Sequence, residues 1–441
     1  MNAYNVLIIG SGPAGLFAAM QLERLGLDRI AIVDRRPYPA GGLLNDGKLN
    51  FDYRVGIDLD ELKIDRDSAQ RLMEEIRRVF VGFPGCRQVT FPDRNQTIAN
   101  LANIAREHDA QFIAPEQWHW GTDNGKAVVD YLRNQLKKTD FLLDTAVTAI
   151  LKQNDDTYHV SCRYQRKKVG YAAKVILAAP GRGGAYWFRD VATRLNVRHS
   201  FGPIDVGIRL ELSRRHFDAV TDVVYDPKFI FRTARHGDRV RTFCTNPGGR
   251  VRVENYCNFK LVNGDALSVR KTENTNFALI NTISLTEPFS DTTQFGQMIA
   301  KQFFLLGGGR PIVQRVGDFR EGRRSSGATF DSATRHFGLC RATYHATPGD
   351  ITLGLPARIV DNLWESAKKL DKIVPGILHP STLLYAPEIK FFDTHFITDE
   401  NLETNVKGIF VAGDGAGKSR GIVGAGISGI IAARGIFKNC F

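Results

Sequence analysis

Cysteine is scarce in this sequence and is arranged in no recognisable motif. The six cysteines among the 441 residues form no CxxC or CxxxxC pair, which excludes a redox-active dithiol or a zinc knuckle of that kind. The sequence also lacks the segments of a secretory signal, and no apolar run reaches membrane-spanning length. We therefore expect a reducing, cytoplasmic setting and no membrane partner.

Acidic residues are outnumbered by basic ones. The chain has 59 Lys and Arg against 47 Asp and Glu, a formal net charge of +12, with 43% apolar and 24% charged residues. These fractions are typical of a globular protein, and the length predicts two domains or one large domain with an insertion. The positive charge favours small anionic substrates or polyanions as partners, although many basic enzymes bind no nucleic acid.

A glycine-rich turn lies near the N-terminus, between a predicted strand and a predicted helix. Residues Gly10 to Gly15 (GSGPAG) follow an apolar strand that starts at Val6, and Asp34 ends the next predicted strand. The glycines permit a tight turn and close approach of a pyrophosphate, the helix N-terminus attracts its charge, and an acid at that spacing can bind ribose hydroxyls. The motif predicts a dinucleotide site without separating FAD from NAD.

A second glycine-rich stretch lies near the C-terminus. Residues Thr404 to Asp414 (TNVKGIFVAGD) lead from a predicted strand into a glycine loop, and a helix is predicted from about Gly421. The overlapping run Gly413 to Ser419 (GDGAGKS) imitates a phosphate-cradling P-loop, but Ala412 stands where that motif needs its first glycine. A nucleotide hydrolase is therefore the weaker interpretation of this stretch.

Residues 404 to 414 resemble the C-terminal flavin signature of the glutathione-reductase-like FAD superfamily. By that resemblance Asp414 binds the ribitol chain of FAD, and the helix from Gly421 directs its positive end at the flavin pyrimidine. Residues Lys174 to Gly181 (KVILAAPG) resemble the strand and turn that close the FAD domain in that superfamily, with Pro180 where threonine is common.

Further segments resemble the broad family of NAD(P)/FAD-dependent oxidoreductases, or FAD-utilising dehydrogenases. The resemblance covers most of the chain and rests on DGKLN (46–50), HWGTD (119–123), DVGIRLE (205–211), NPGGRV (246–251), GGGRPIVQRVGDFREGRRSS (307–326) and GDGAGKSRGIV (413–423). Membership implies noncovalent FAD and redox chemistry but no particular substrate. A single complete GxGxxG and the missing dithiol argue against a disulfide reductase, whereas NAD(P)H could still reach the flavin as a transient electron donor.

Together these motifs predict an α/β protein. We expect a Rossmann-like FAD-binding domain, with a parallel sheet and a three-stranded antiparallel addition, plus an inserted mixed α+β substrate domain. The predicted boundaries are 1–186 and 399–441 for the FAD-binding domain and 187–398 for the insert, whose sequence suggests irregular strands and loops. Residues from Leu43 to about Asp67 are predicted to form a loop.

The residues expected to contact FAD lie in the two glycine-rich stretches and in segments between them. They are Gly10, Gly12, Pro13, Ala14, Gly15, Asp34, Arg35, Lys48, Val147, Gly181, Gly413, Asp414, Gly421, Ile422 and Val423. No metal site is predicted.

Three side chains are candidate catalytic residues. Lys48 lies in a loop expected near the isoalloxazine, where it could act beside N5 or only hold FAD or the loop. Arg323 and Arg324, together with Arg320, could clamp a carboxylate or phosphate, or could form a solvated basic face. His119, which stands between two tryptophans, is interpreted as a packed residue.

A basic stretch with interleaved aromatics runs through the predicted insert. Its cations are Lys228, Arg232, Arg235, Arg239, Arg241, Arg250 and Arg252, with Asp238 as the single acid among them. Cations interleaved with phenylalanines suit phosphate contact and base stacking, so the stretch could bind nucleic acid. Cations on the solvent face of a strand, with the phenylalanines inward, explain the pattern nearly as well.

The leading hypothesis is an FAD-dependent dehydrogenase or oxidase that takes a hydride in oxidising a C–N or C–H bond of a small, anionic amine or amino-acid-like substrate. The alternative is a flavoenzyme of nucleic-acid modification that oxidises an amine or amino acid adduct on a DNA or RNA base. The net charge favours the alternative, and the family resemblance does not decide between the two.

Overall fold

The computed structural model describes residues 2–39, 41–44, 47–92, 96–256, 258–269, 271–286, 291–328, 340–391 and 394–441. The chain forms two compact units. The first comprises Met1–Arg87, Trp118–Phe201 and Thr394–Phe441, and the second comprises Gln88–Gln117 and Gly202–Asp393.

Strands and helices alternate through the N-terminal part, and strands dominate the middle of the chain. In chain order the strands of the described ranges are β1 Asn2–Ile9, β2 Ile30–Val33, β3 Lys48–Phe51, β4 Arg87–Thr90, β5 Ala110–Ile113, β6 Glu116–His119, β7 Thr139–Leu142, β8 Thr145–Lys152, β9 Tyr158–Tyr164, β10 Lys167–Ala178, β11 His199–Phe201, β12 Ile204–Ser213, β13 Lys228–Arg232, β14 Arg239–Pro247, β15 Arg250–Tyr256, β16 Phe259–Asp265, β17 Asn274–Ile283, β18 Ile312–Arg315, β19 Thr347–Pro348, β20 Leu383–Lys390, β21 Thr394–Phe396 and β22 Ile409–Val411. The helices are α1 Pro13–Arg24, α2 Leu59–Leu62, α3 Arg66–Val81, α4 Gln96–Glu107, α5 Gly125–Asn134, α6 Ala185–Arg194, α7 Asp218–Thr221, α8 Thr292–Leu306, α9 Val316–Arg320, α10 Ala357–Ile373 and α11 Gly421–Cys440.

The first unit is built on a seven-stranded sheet of order β7-β2-β1-β10-β9-β8, with β22 paired to β10. Strands β7, β2, β1, β10 and β22 are parallel neighbours, whereas β8, β9 and β10 form an antiparallel meander. Successive residues of β1, such as Val6 and Leu7, are buried on opposite faces, as is typical of a parallel sheet covered on both sides. The unit therefore has the mixed α/β organisation expected from the sequence.

Helices α1 and α11 approach closely because glycine stands at their contact. A Cβ atom on Gly429 would lie 2.2 Å from the backbone oxygen of Ala14, and one on Gly426 would lie 2.7 Å from Cδ1 of Ile76 in α3. By length and composition α11 could cross a membrane, but 72% of its most apolar window is buried inside the protein. A core position therefore accounts for its apolar composition.

The second unit contains an eight-stranded sheet of order β19-β18-β20-β12-β17-β14-β13-β5. Its neighbouring strands are antiparallel except for β18 and β19. The expectation of irregular strands and loops is corrected here, because β12 and β17 are ten-residue strands and α8 and α10 are long helices. Apolar and polar residues alternate along β12 from Ile204 to Ser213, the pattern of a half-buried strand, yet both of its faces are buried.

Two segments lie in a different unit from the one predicted. Most of helix α6 was expected in the insert, but Phe188 and Val191 are buried in the same core as Val411 of the first unit. Residues Gln88–Gln117 were expected in the FAD-binding domain, but they belong to the second unit, where β5 pairs with β13 at the sheet edge. Pairing between residues so far apart in sequence leaves no local pattern.

The predicted loop from Leu43 to Asp67 also contains regular structure. Strand β3 and helix α2 lie within it, and Leu49 and Leu62 are fully buried in the first unit's core. Both elements are four residues long, which is too short to show a clear hydrophobic period.

We expect Gly429→Val to lower the free energy of unfolding by about 2 kcal/mol, because a branched side chain would push α11 away from the backbone of α1. Denaturant unfolding followed by circular dichroism measures this loss. Gly42→Ala is the control, since no described atom lies within 4 Å of a Cβ atom there. Equal effects of the two substitutions would contradict the importance of the helix contact.

Candidate functional site

The glycine turn after β1 is shaped by contacts that only glycine allows. Gly10 has a φ of 108°, and a Cβ atom there would lie 2.1 Å from the carbonyl oxygen of Ala179. A Cβ atom on Gly15 would lie 2.0 Å from the oxygen of Gly10. Gly12 caps α1, and Pro13 begins the helix. The turn therefore holds the N-terminus of α1 beside the carboxyl ends of β1 and β10, where parallel sheets bind ligands.

Asp34 directly follows β2, and its carboxylate organises the same turn. Ser11 donates its backbone N–H and its hydroxyl to Oδ2 of Asp34, at 2.9 and 2.5 Å, and the N–H of Arg36 donates to Oδ1 at 2.9 Å. A carboxylate oxygen accepts more than one hydrogen bond, so ribose hydroxyls can still be bound. The neighbouring Arg35 is exposed and donates to the carbonyl oxygen of Gly183 at 3.3 Å.

The C-terminal glycine loop brings Asp414 to the N-terminus of α11. Its carboxyl group accepts hydrogen bonds from the backbone N–H of Gly421 and, at 3.3 Å, from the hydroxyl of Ser419. Burial raises the pKa of Asp414 to about 6, although Arg182, these two hydrogen bonds and Arg420 oppose the shift. An acid hydrogen-bonded at a helix N-terminus can in turn orient hydroxyl groups of a ligand.

Four glycines lie where the C-terminal glycine loop meets α11 and the turn after β10. The N–H of Gly413 donates to Oγ of Ser428 in α11 at 2.9 Å, and a Cβ atom on Gly415 would lie 2.2 Å from the oxygen of Gly181. Gly181 and Gly421 have φ values of 60° and 79°, and no described atom lies within 4 Å of their Cβ positions. This open space next to exposed backbone fits the close approach of a dinucleotide.

Lys418 of the GDGAGKS run is engaged inside the protein. Its buried Nζ lies 2.9 Å from Oε2 of Glu61, and Oε1 of Glu61 lies 2.9 Å from Nδ1 of His395. The hydrogen bond with His395, together with Lys418, lowers the pKa of Glu61 to about 2, against the opposite effect of burial. A P-loop lysine must reach a bound phosphate, so this pairing does not favour a nucleotide hydrolase.

The other predicted cofactor residues of the first unit lie on the elements around these loops. Lys48 is the buried first residue of β3, and Val147 lies beside a bulge in β8. Ala14, Ile422 and Val423 are buried in the first turns of α1 and α11. The structure thus brings the two glycine-rich stretches together, while the individual roles of Lys48, Arg35 and Val147 stay predictions.

The candidate arginines lie in the second unit. Arg323 and Arg324 are exposed in the segment that follows α9, as is Arg320 at the end of that helix. The guanidinium of Arg323 forms an ion pair with Glu321. This arrangement fits a solvated basic face as well as a clamp, and the catalytic role of Arg323 and Arg324 stays a prediction.

The basic stretch between 228 and 252 does not form one continuous exposed surface. Lys228 is buried and pairs with Asp226 at 2.7 Å, and Arg241 pairs with Asp205 at 2.7 Å. Phe229 is fully buried and therefore cannot stack on a base. These residues do not contribute to a nucleic-acid surface in the way that the sequence suggested.

The other cations of the stretch are at least partly exposed. Arg232, Arg235 and Arg239 are exposed on β13, β14 and the turn between them, and Arg250 and Arg252 are half-buried on β15. Arg235 pairs with Asp361 at 2.6 Å, and Arg252 lies 3.8 Å from Asp265. Carboxylates brought from distant segments thus neutralise part of the positive charge.

A set of cations on one face of the second unit's sheet was not predicted from the sequence. The charged groups of Lys228, Arg241 and Lys390 lie 6.0, 5.1 and 5.4 Å from the ring centroid of Phe243. Together these four residues form the cation cluster. They come from β13, β14 and β20, and the strand order, which is invisible in the sequence, brings Lys390 to this face.

Each cation of the cluster has an acidic partner. The pairs are Lys228 with Asp226 at 2.7 Å, Arg241 with Asp205 at 2.7 Å and Lys390 with Glu388 at 2.9 Å. Fully buried Arg209 also donates to both oxygens of Glu388, at 2.8 and 2.7 Å. Burial alone would raise the pKa of Glu388, but Arg209 and Lys390 lower it, so this carboxylate is ionised.

In the first unit, two glycine loops, two helix N-termini and a buried aspartate meet at one edge of a parallel sheet. This arrangement defines a dinucleotide-binding redox protein. A family profile described as FAD dependent oxidoreductase matches residues 5–281, more than half of the chain, and the chain belongs to this family. A second profile, described as FAD-dependent protein, C-terminal domain-like, matches residues 204–390. The protein is therefore an enzyme that uses FAD.

Individual relatives are distant. An uncharacterised protein of Clostridium beijerinckii is 25% identical over 466 positions, covering 98% of this chain and 80% of the relative. Glycine oxidase from Geobacillus kaustophilus has 12% identity and a TM-score of 0.44, over 100% of this chain and 96% of that one. E. coli quinol fumarate reductase has 12% identity and a TM-score of 0.44, over 100% of this chain and 71% of that one. Likeness at this level contributes nothing to the assignment of a substrate.

Asp414 should make the stability of the flavin-free protein fall as the pH rises from about 4 to about 6. Its folded pKa of about 6 lies above the ordinary 3.8, so its contribution is present below the ordinary value and is lost as the pH passes the folded one. The free energy of unfolding of the wild type, taken relative to that of Asp414→Asn, should fall by on the order of 2 to 3 kcal/mol over this interval. Urea unfolding across that pH range tests this, and a difference that does not vary with pH would refute it.

Glu61→Gln should destabilise the protein by roughly 1 to 3 kcal/mol at neutral pH, because it leaves the ammonium of Lys418 buried without its carboxylate. The folded pKa of about 2 lies below the ordinary 4.5, so the stabilisation is present above 4.5 and is lost as the pH falls towards 2. Thermal unfolding at several pH values should show the difference between wild type and variant shrinking in acid.

The control for this experiment is Glu74→Gln. Glu74 forms an ion pair with Arg77 on the surface of α3, and removing such a pair changes stability little. A Glu61→Gln effect as small as that of the control, or one that grows in acid, would count against the buried pair.

Proposed function

We propose that this protein is an FAD-dependent dehydrogenase or oxidase that oxidises a C–N or C–H bond of a small, anionic amine or amino-acid-like substrate. The observation that carries the substrate class is the cation cluster. Its charged groups converge on Phe243, so one region offers both positive charge and an apolar ring. A small carboxylate with a short carbon skeleton matches that combination.

Burial makes the charge of the cation cluster effective. Lys390 is only 2% exposed, and Arg209 beside it is fully buried. A buried cation is costly unless an anion compensates it, and the electrostatic attraction that it exerts is weakly screened. Arg209 and the three cations of the cluster share the carboxylates of Asp205, Asp226 and Glu388. An anionic substrate would be a further partner for these cations.

Small residues lie next to the cation cluster on the same sheet. Ala278 of β17 is the register partner of Phe243, and Gly207 of β12 is the partner of Glu388. Register partners in an antiparallel sheet point to the same face, so small residues stand beside the cations there, and a Cβ atom on Gly207 would lie 2.0 Å from the carbonyl oxygen of Leu279. Farther along β12, burial raises the pKa of Glu211, although hydrogen bonds from Thr343, Asn274 and Tyr385 oppose the shift.

The two units would then divide the work. Bound FAD supplies the acceptor for a hydride from substrate carbon. In the first unit, the glycine turns and Asp414 hold the cofactor. In the second, the cation cluster binds the anionic group of the substrate and restricts its rotation.

Nucleic-acid modification receives less support from the geometry. Arg358 donates to both oxygens of Asp238 in the β13–β14 turn, at 2.8 and 2.7 Å, and Arg235 there is paired with Asp361. A phosphate backbone would have to displace these carboxylates. No described feature favours the alternative over a small substrate, and it remains an arm of the substrate screen.

An anaerobic screen of flavin absorbance tests the proposal. We expect certain anionic amines or amino acids to bleach the flavin, and their neutral amides or esters to do so with at least roughly tenfold lower kcat/KM, since the lost ion pair contributes to binding. NAD(P)H and modified nucleosides are tested in the same screen. Equal reactivity of acids and neutral analogues, or bleaching by nucleosides alone, would overturn the assignment of substrate class.

Variants connect the screen to the cation cluster. Lys390→Met and Arg241→Met should raise KM for the anionic substrate by roughly tenfold or more while FAD content stays unchanged. Glu388 keeps Arg209 as a partner in the first variant, and Asp205 keeps the hydroxyl of Thr282 in the second. Arg232→Met, which removes an exposed cation of the same sheet, is the matched control and should leave KM unchanged.

A further inference from the structure

Helix α8 carries large apolar residues on its exposed surface as well as on its buried face. Ile299 and Phe303 are buried in the second unit, whereas Met298 is 54% exposed and Leu305 is 69% exposed. A surface helix of a globular protein normally presents polar residues outward. Exposed Gln302 follows that rule, so Met298 and Leu305 are the apolar exceptions on a mixed surface.

The exposed apolar surface continues beyond the outward face of α8. Phe304 and Leu306 at the end of the helix are large exposed apolar residues, and so is Leu353, at 64% exposure. Leu353 is placed beside the helix because a Cβ atom on the next residue, Gly354, would lie 2.6 Å from the ring of Phe303. Met298, Phe304, Leu305, Leu306 and Leu353 together form the apolar patch.

The charges around the apolar patch are positive. Residues 292–310 contain Lys301 and Arg310 and no Asp or Glu, and both cations are exposed. Lys301 stands three residues after Met298 and four before Leu305, so it shares their face of the helix. Asp291, directly before α8, and Asp350, three residues before Leu353, accept capping hydrogen bonds from the backbone.

We propose that the apolar patch docks on the surface of an anionic lipid bilayer. Large apolar side chains next to exposed cations are the combination by which interfacial helices bind such surfaces, with the apolar groups at the acyl boundary and the cations at lipid phosphates. A net charge of +12 attracts the protein to an anionic surface and opposes pairing with a second copy of itself.

This inference departs from the sequence expectation of no membrane partner. That expectation rested on the lack of a spanning run, and α8, at 15 residues, is too short to span. Peripheral docking depends instead on which side chains of a short helix face outward, and only the tertiary structure shows that.

Co-sedimentation of the flavin-containing protein with vesicles tests the proposal. Vesicles of phosphatidylcholine mixed with phosphatidylglycerol should bind the protein, vesicles of phosphatidylcholine alone should bind it far less, and raised salt should weaken binding. The double substitution Met298→Ser and Leu305→Ser should lower the bound fraction at least roughly fivefold, because it removes the two central apolar side chains. Lys301→Glu should weaken binding to the anionic vesicles specifically.

Leu151→Ser is the matched control, since Leu151 is 54% exposed on β8 of the first unit, away from the apolar patch. It should bind vesicles like the wild type, and all variants should keep their flavin content. No binding to anionic vesicles, or equal binding by wild type and the double variant, would overturn the proposal. A dimer in size-exclusion chromatography that the double substitution abolishes, without any vesicle binding, would assign the patch to self-association instead.

Discussion

The close approach of backbone to backbone at glycine positions is the constraint on which the cofactor unit depends. At Gly10, Gly415 and Gly429 a Cβ atom would lie within 2.2 Å of a carbonyl oxygen from another segment. These contacts hold the turn after β1, the loop after β22 and helices α1 and α11 at one edge of a parallel sheet. The helix N-termini and Asp414 lie together only because that spacing is maintained.

Charge in the second unit is organised by a different principle. Cations and carboxylates lie on one face of an antiparallel sheet, and the cations are buried by packing and not left at the surface. Glu388 illustrates the consequence, since the same carboxylate compensates Arg209 and Lys390. Fixed, partly compensated charges of this kind are suited to recognising a small anion, because they need little rearrangement when it binds.

The basic composition of the chain thus has several structural origins. Part of the charge lies in the cation cluster, part is neutralised by carboxylates on the β13–β14 hairpin and α10, and part flanks the apolar patch on α8. A single explanation such as nucleic-acid binding is not needed to account for the formal net charge of +12. Each origin predicts a different partner, which is why burial and pairing are more informative here than the net charge.

Local sequence patterns were enough to predict the first unit's main elements. The strand from Val6, the glycine turn and helix that follow it, and the final helix from about Gly421 follow from hydrophobic period and glycine spacing. Short elements such as β3 and α2, and largely buried strands such as β17, carry too little local pattern to be recognised. For the same reason the assignment of Gln88–Gln117 to the second unit was missed.

The sequence by itself determined a dinucleotide site, because close backbone approach requires glycine and leaves a readable spacing at Gly10 to Gly15. The choice of FAD over NAD came from the resemblance of the residues around Asp414 to a flavin signature. Only the tertiary structure decided which charges act together. Lys228 and Lys390 are separated by most of the second unit in sequence, yet strand order brings both to Phe243. The outward direction of Met298 and Leu305 was likewise decided by packing, since a helix pattern does not record which of two apolar faces the fold will cover.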